Sequence, residues 1–159
     1  MELTFKIEKK GDSDHIFLTG KINEEAEVTL SDLQGQINGN IIFNFGGIKM
    51  VNSCGVRAWI NFLRDASKDK EVIFEECTPE IVGQINMIPN FLGHGKIKSV
   101  YADYACESCE NSEWKLFEEG KNLPETEDDL DIEEAKCSKC GAEMEMEELE
   151  DEFFAFVSA

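Results

Sequence analysis

Hydrophobic and polar positions alternate in short stretches along the first hundred residues, and the period of the pattern changes between stretches. "LTFKIEK" places Leu3, Phe5 and Ile7 on one face, which predicts a half-buried strand. "HIFLTGKI" predicts a second strand, joined to the first by the turn "GDSD". The nearly all-apolar "NIIFNF" (40–45) predicts a central strand covered on both faces. "EVIFEEC" and "GKIKSVYADY" predict two further strands.

Helical periodicity separates these strands. "GVRAWINFLRDASK" predicts an amphipathic helix whose apolar side carries Val56, Trp59, Ile60, Phe62 and Leu63. In "TPEIVGQINMI", Thr78 is placed to cap a helix and Pro79 to occupy its first position. Asn23 is expected to cap a short helix through "EEAEVTLSDL". The order β-β-α-β-α-β-α-β predicts an α/β (α+β) fold, a mixed sheet with helices packed against it.

The segment "IIFNFGGIKMVNSCGVRAWINFLRD" joins a strand, the loop "GGIKMVNS" and a helix that opens on Asn52-Ser53-Cys54-Gly55. It resembles the STAS domain of anti-sigma factor antagonists, whose motif is Asp-Ser-(Ser/Thr)-Gly at this place. The resemblance covers about residues 1–103. It implies a bacterial signalling protein that is not an enzyme and binds a partner through Asn52, Ser53, Cys54, Gly55 and Arg57. In the family, an anti-sigma factor that is also a serine kinase phosphorylates the residue matching Ser53, and this breaks their complex.

Ser53 has three interpretations from its own chemistry. A hydroxyl just before a helix can accept a backbone hydrogen bond as a cap. The same place favours an anion, and a phosphate there would add about −1.5 to −2 charges to the loop. A serine nucleophile would need a base, and the two histidines, His15 and His94, lie in unrelated turn contexts.

Two residues depart from the family motif. Asn52 stands where the family has Asp, and Cys54 replaces the second hydroxyl. We expect Cys54 to be a buried thiol at the helix start, although a redox role is an alternative. A switch altered by these changes would leave a binding scaffold that needs no phosphorylation.

The charge of the chain is unevenly distributed. Residues 1–103 carry 15 acidic and 11 basic side chains, whereas residues 104–159 carry 19 acidic and 4 basic ones. This acidity argues against binding nucleic acid or anionic membranes and is typical of a solvated surface, with a basic protein partner as the alternative. No apolar run approaches the roughly 20 residues of a membrane span, and the N-terminus lacks a signal-peptide pattern. We therefore expect a cytoplasmic protein.

Two Cys-x-x-Cys pairs, Cys106/Cys109 and Cys137/Cys140, carry the strongest local chemistry. Four thiolates in two tight turns suit one structural Zn²⁺ per chain, with iron as an alternative ion. The 27 residues between the pairs include the acidic loop "EEGKNLPETEDDLDIEEA". The segment 104–148 resembles a rubredoxin-like zinc ribbon built on a β-hairpin. A dithiol oxidoreductase is less favoured, because neither pair lies at a strand-to-helix junction.

The last segment, residues 149–159, is apolar for a terminus. Phe153, Phe154, Phe156 and Val157 are expected to pack against the ribbon or the sheet, with an exposed docking peptide as the alternative. The function predicted from the sequence is a regulatory module that binds an anti-sigma factor, a serine-kinase-like partner or another signalling protein. A scaffold without a switch is the second hypothesis, and a thiol or metal redox protein is the third.

Overall fold

The computed structural model describes residues 2–126 and 135–158. The strands are Thr4–Lys10 (β1), Ser13–Ile22 (β2), Asn40–Val51 (β3), Val72–Glu75 (β4), Lys96–Ile97 (β5), Ser99–Cys106 (β6), Ser112–Glu118 (β7), Ala135–Lys136 (β8) and Glu143–Met146 (β9). The α-helices are Ala26–Gln34 (α1), Ser53–Ala66 (α2), Pro79–Met87 (α3) and Glu150–Phe153 (α4), with 3-10 segments at Pro89–Phe91 and Phe154–Ser158. In this part of the chain no helix is both long and apolar enough to cross a membrane. Residues 127–134 of the predicted acidic loop lie outside the described residues.

The first sheet has the order β1-β2-β3-β4-β5. β1 pairs antiparallel with β2, and the remaining neighbours are parallel. The mixed α/β fold predicted from the sequence is thereby confirmed. The crossovers through α1, α2 and α3 all advance across the sheet in the same direction. Because parallel crossovers are right-handed, this progression places the three helices on one face.

Aromatic side chains fill the space between this face and α2. Phe43 and Phe74 meet Trp59 edge-on, with ring centroids 5.0 and 6.1 Å apart, and Phe45 approaches the same ring at 5.4 Å. The Trp59 indole N–H donates to the carbonyl of Phe91 at 2.9 Å, so its polar atom is satisfied in the core. The amphipathic helix predicted over residues 55–68 is confirmed.

The prediction that "NIIFNF" is a central strand buried on both faces is confirmed, and the face opposite the helices is polar, since it carries the buried side chains of His15 and Asn44. The predicted end of the strand is wrong. β3 continues through the predicted loop "GGIKMVNS" as far as Val51, paired with β2 across two register shifts. A Cβ at Gly47 would lie 3.0 Å from the carbonyl oxygen of Leu18, so glycine permits this close pairing.

The predicted cap of α1 is also displaced. The helix begins at Ala26, and Glu25 occupies the N-cap position without a side-chain cap bond. Asn23 instead accepts a hydrogen bond from the Glu25 N–H at 3.0 Å, and its carbonyl accepts one from the Ala26 N–H. Asn23 therefore forms an Asx turn just before the helix, since its side chain satisfies backbone two residues on.

The chain passes from the first sheet into a second one after Ile97. The predicted strand "GKIKSVYADY" is two strands, of which β5 completes the first sheet and β6 enters the second, antiparallel sheet, ordered β7-β6-β9-β8. Cys77 exchanges backbone hydrogen bonds with Ser99 and Tyr101, so the start of β6 stays attached to the segment that follows β4. The predicted domain boundary at 103–104 falls inside β6.

The C-terminal segment packs against the second sheet and α3, which confirms the prediction that it packs against the ribbon or the sheet. Phe153 and Phe154 are fully buried, and Phe154 meets Phe117 of β7 edge-on at 5.2 Å. The Asn86 side-chain amide of α3 donates to the carbonyls of Glu152 and Phe153 at 3.2 and 2.9 Å. This segment therefore joins α3 to the second sheet.

Candidate functional site

Asn52, not Ser53, caps α2. Its backbone is extended, and its side-chain oxygen accepts a hydrogen bond from the Gly55 N–H at 2.9 Å. The Asn52 carbonyl also accepts from the Val56 N–H at 2.9 Å. The cap interpretation of Ser53 is therefore wrong, because the preceding residue already satisfies the first turn of the helix.

Ser53 is the first helical residue and is exposed to solvent. Within residues 2–126 and 135–158 its hydroxyl has no hydrogen-bond partner. The N–H groups of the first helical turn have no acceptor inside the helix, and the helix dipole is positive at this end. Ser53 thus presents a free hydroxyl where the backbone favours an anion.

A groove of about 480 Å³ runs between α1 and α2 at this point. Ser53, Cys54 and Arg57 line it together with apolar side chains from both helices, namely Leu30, Ala58 and Phe62. Glu24, Glu27 and Asp65 also line the groove, and Arg57 is the one basic side chain among its described lining residues. We call this surface the Ser53 groove.

Gly55 and Asn52 support the Ser53 groove from behind. A Cβ on Gly55 would lie 1.9 Å from the carbonyl oxygen of Ile22, so α2 can approach the end of β2 only with glycine here. Three of the five residues predicted to bind a partner therefore line the groove, and the other two fix the position of the helix that carries them.

Asn52 has a second contact that the sequence did not reveal. Its amide N–H donates to Glu24 Oε2 at 3.0 Å, and this bond lowers the pKa of Glu24. The bond ties the start of α2 to the turn that precedes α1. An Asp at position 52 would place a second carboxylate beside Glu24, so Asn suits the local charge where the family motif has Asp.

Cys54 is exposed, so the expectation of a buried thiol is wrong. Cys54 and Arg57 both line the groove, and residues three positions apart share one face of a helix. The apolar face of α2, which carries Trp59, is turned toward the sheet instead. The sulfur therefore lies beside Ser53 on the solvent side.

The two histidines are engaged elsewhere in the fold. His15 Nε2 and Glu75 Oε2 are 2.7 Å apart on the face of the first sheet that lies opposite the helices. His94 Nε2 lies 2.8 Å from the Lys70 carbonyl. Neither ring lines the Ser53 groove, so neither is placed to act as a base for the Ser53 hydroxyl.

The four paired cysteines meet at one end of the second sheet. Their sulfurs all lie within 4.8 Å of one another, with 3.5 Å between Cys106 and Cys140 and 3.5 Å between Cys109 and Cys137. All six cysteines of the chain, every one among the described residues, are free of disulfide bonds. The cluster could hold a metal ion.

The two Cys-x-x-Cys turns, which we call knuckles, have the same backbone hydrogen bonds. In the first knuckle the Cys106 N–H donates to the Asn111 carbonyl at 2.8 Å, and the Glu110 N–H donates to the Cys106 carbonyl at 2.9 Å. The equivalent bonds of the second knuckle, from Cys137 to Ala142 and from Gly141 to Cys137, measure 2.8 and 2.9 Å. This repeat brings four sulfurs to one point.

Glu113, which the sequence did not single out, holds the knuckles together. Its Oε2 accepts hydrogen bonds from the Ser138 N–H and hydroxyl, both at 2.8 Å, and from the Asn111 amide at 2.7 Å. The Ser138 donors lower the pKa of Glu113 to about 2. The N–H groups of Cys140 and Lys139 lower the pKa of Cys137 to about 6. These donors favour a thiolate at Cys137, the form that binds metals, whereas the hydrogen bond with Cys137 raises the pKa of Cys109 to about 12.

No family model matches the chain, and no curated protein is similar to it. Among solved structures, the anti-sigma factor antagonist SpoIIAA in its unphosphorylated form is similar at 22% identity. The match covers 45% of this chain and 72% of that one, with a TM-score of 0.33. A likeness at this level concerns part of the fold and carries no information on what this chain binds.

Proposed function

We propose that the chain is a regulatory protein-binding module of the anti-sigma factor antagonist type, which binds its partner through the Ser53 groove. Phosphorylation of Ser53 releases the partner. Residues 1–103 form the regulatory unit, residues 104–148 form a zinc ribbon, and residues 149–159 join the two. The partner is a protein of the anti-sigma factor or serine-kinase class, or another signalling protein.

The exposed and unbonded hydroxyl of Ser53 at the start of α2 carries this proposal. A kinase needs a hydroxyl that it can reach, and Ser53 stands at the edge of a groove with apolar lining from two helices. The sequence motif Asn52-Ser53-Cys54-Gly55, which resembles that of the STAS family, supports the same residue.

The charges around Ser53 explain how a phosphate would act. Glu24 and Glu27 already line the groove, and Arg57 is available to a partner or to a phosphate. A phosphate adds about −1.5 to −2 charges, which repel acidic groups of a bound partner and compete for Arg57. A partner bound through Arg57 therefore loses its contact when Ser53 is modified.

Pull-down from the native cell extract tests this proposal. The baits are wild type, Ser53→Ala, Ser53→Asp and the control Ser112→Asp, which adds the same charge at an exposed serine of β7 outside the groove. We expect one partner to be retained by wild type, Ser53→Ala and Ser112→Asp and to be released by Ser53→Asp. Equal capture by all four baits contradicts the switch.

A constitutive scaffold is the second candidate function. The bond between Asn52 and Glu24 favours it, because it holds the start of α2 in one position and keeps a carboxylate beside Ser53. A scaffold would retain the same partner with Ser53→Asp and lose it with a bulky substitution in the groove, such as Ala58→Trp. The pull-down therefore separates the two candidates.

We further propose that the four cysteines hold one structural Zn²⁺ per chain. The sulfur separations fit the site, since zinc–sulfur bonds of about 2.3 Å in a tetrahedron place sulfurs about 3.8 Å apart. Bound there, zinc would cross-link the knuckles, and four thiolates leave no position for a substrate. Metal analysis after purification under reducing conditions should find close to one zinc per chain, and a metal-free folded protein contradicts this assignment.

A further inference from the structure

A second groove lies where the end of β3, the start of α3 and the second sheet meet. It encloses about 530 Å³ and has an apolar interior formed by Ile48, Pro79, Trp114, Met146 and Phe153. Trp114 is 47% exposed, whereas the other tryptophan, Trp59, is fully buried. We call this surface the ribbon groove. It shares no lining residue with the Ser53 groove.

The exposed ring of Trp114 forms one side of the ribbon groove. Its ring packs on Tyr101 of the neighbouring strand, with the centroids 5.4 Å apart. Directly across the β6–β7 pair it faces Asp103. An exposed aromatic face beside a carboxylate is the arrangement that attracts a guanidinium group, which stacks on the ring and donates to the acid.

The rim of the ribbon groove is strongly acidic. Asp103, Glu147, Glu148 and Glu80 line it, and Lys49 is the one basic side chain among its described lining residues. The Glu147 N–H donates to the Asp103 carbonyl at 2.9 Å, so Glu147, just after β9, is held beside Asp103 of β6. None of the four carboxylates takes part in an ion pair within residues 2–126 and 135–158.

We propose that the ribbon groove docks an arginine-bearing apolar segment of a partner protein. The aliphatic side chains of the segment bind the apolar lining of the groove, and its guanidinium stacks on the Trp114 ring. The unpaired carboxylates complement the positive charge of the arginine. A negatively charged or neutral segment would leave four acids uncompensated at the contact. The groove is therefore a second interface, and it does not depend on Ser53.

Tryptophan fluorescence tests the proposal on the full, zinc-loaded chain. The probe is the hexapeptide Arg-Leu-Arg-Leu-Arg-Leu, acetylated and amidated, and its control carries neutral citrulline in place of arginine. Because Trp59 is buried, quenching by acrylamide reports on Trp114. We expect the arginine peptide to protect Trp114 from acrylamide and the citrulline peptide to bind about tenfold or more weakly, since citrulline lacks the charge.

Matched variants separate the groove from general charge attraction. The groove variant carries Asp103→Asn, Glu147→Gln and Glu148→Gln, and the control variant carries Asp32→Asn, Glu71→Gln and Glu119→Gln, which remove the same charge from exposed positions outside the groove. At about 0.15 M salt, where screening acts beyond about 8 Å, the groove variant should lose about tenfold in affinity and the control less than about threefold. Trp114→Leu removes the fluorescent reporter, so its binding is measured by isothermal titration calorimetry, and it should be weaker than that of wild type. Thermal melts verify that each variant is folded.

Four results would overturn the proposal. Equal losses in the two charge variants would show attraction by net charge alone, and binding without protection of Trp114 would place the peptide elsewhere. Equal binding of the citrulline peptide would assign the groove to a neutral apolar occupant. If sedimentation shows a dimer in wild type and a monomer in Trp114→Leu, the ribbon groove binds a second copy of the chain. Each outcome is distinct from failure of the Ser53 switch, which this assay does not involve.

Discussion

The two sheets of the molecule are stabilised by different means. The first sheet closes against its helices through large aromatic side chains centred on Trp59. The second sheet adds fewer apolar side chains to the common core, namely Tyr104, Phe117 and Met144, together with two buried cysteines, Cys106 and Cys137. A small sheet buries too little apolar surface to be stable alone. We therefore expect the sulfur cluster and the shared C-terminal segment to supply much of its stability.

Loss of one of the four cysteines proposed to bind zinc should give the largest effect. Structural zinc contributes about 10 kcal/mol or more to folding in small zinc domains, so Cys140→Ser or chelation should unfold the second sheet. The first sheet should keep its own transition, because its aromatic core does not contain the cysteines of the cluster. Near-ultraviolet circular dichroism and thermal melts check both statements. Cys54→Ser, which changes an exposed thiol outside the cluster, is the control. Identical melts for Cys140→Ser and Cys54→Ser would contradict the view that the two sheets are stabilised by different means.

Truncation of the central aromatic ring should come next. Trp59→Ala removes a fully buried side chain that contacts rings of the two strands β3 and β4, of α2 and of the 3-10 segment, and such changes cost about 3–5 kcal/mol. It also leaves the Phe91 carbonyl without its indole donor. Urea unfolding measures the loss. Trp114→Ala is the matched control, and because Trp114 is half exposed it should cost about 1 kcal/mol or less.

Phe154 tests whether the two regions are energetically joined. Its ring contacts Phe117 of the second sheet and Phe153, which packs with α3, so Phe154→Ala should cost about 3 kcal/mol and destabilise both regions. The exposed Val28→Ala provides the control. Hydrogen exchange should show faster exchange in α3 and in β7 together. Acceleration confined to β7 would mean that the C-terminal segment stabilises the second sheet alone.

The parts of the fold that follow from local periodicity were predictable from sequence. The element order from β1 to α3, the apolar face of α2 and the Thr78 cap of α3 match the structure, because each depends on residues within one or two turns. The pairing of the knuckles was predictable from cysteine spacing. What failed depends on long-range pairing. The extension of β3 to Val51 is set by its register with β2, which no local pattern specifies.

The same reason explains what was missed at the candidate sites. Glu113 accepts hydrogen bonds from Ser138, 25 residues away in sequence, and Glu24 accepts one from Asn52, 28 residues away. A carboxylate in an acidic chain gives no local sign of such a partner. The cap of α2 was assigned to the wrong residue by one position, since Asn52 and Ser53 both have side chains suited to capping. Only the backbone conformation of Asn52 decides between them.

The smallest expected change in stability concerns one backbone position that differs between the two knuckles. Glu110 and Gly141 occupy equivalent positions with φ of 61° and 76°, a conformation that costs a non-glycine residue about 1 kcal/mol or more. Glu110→Gly should therefore stabilise the zinc-loaded protein by about 0.5–1 kcal/mol, and Gly141→Ala should destabilise it by about 1 kcal/mol, although a Cβ meets nothing within 4 Å there. Gly83→Ala is the control, because Gly83 lies inside α3 and a Cβ there also meets nothing within 4 Å. It should stabilise the protein, since alanine favours a helix interior more than glycine does.

Urea unfolding of the three variants measures the change in the free energy of unfolding. If Glu110→Gly destabilises the protein, the Glu110 side chain stabilises the first knuckle by more than its backbone strain costs.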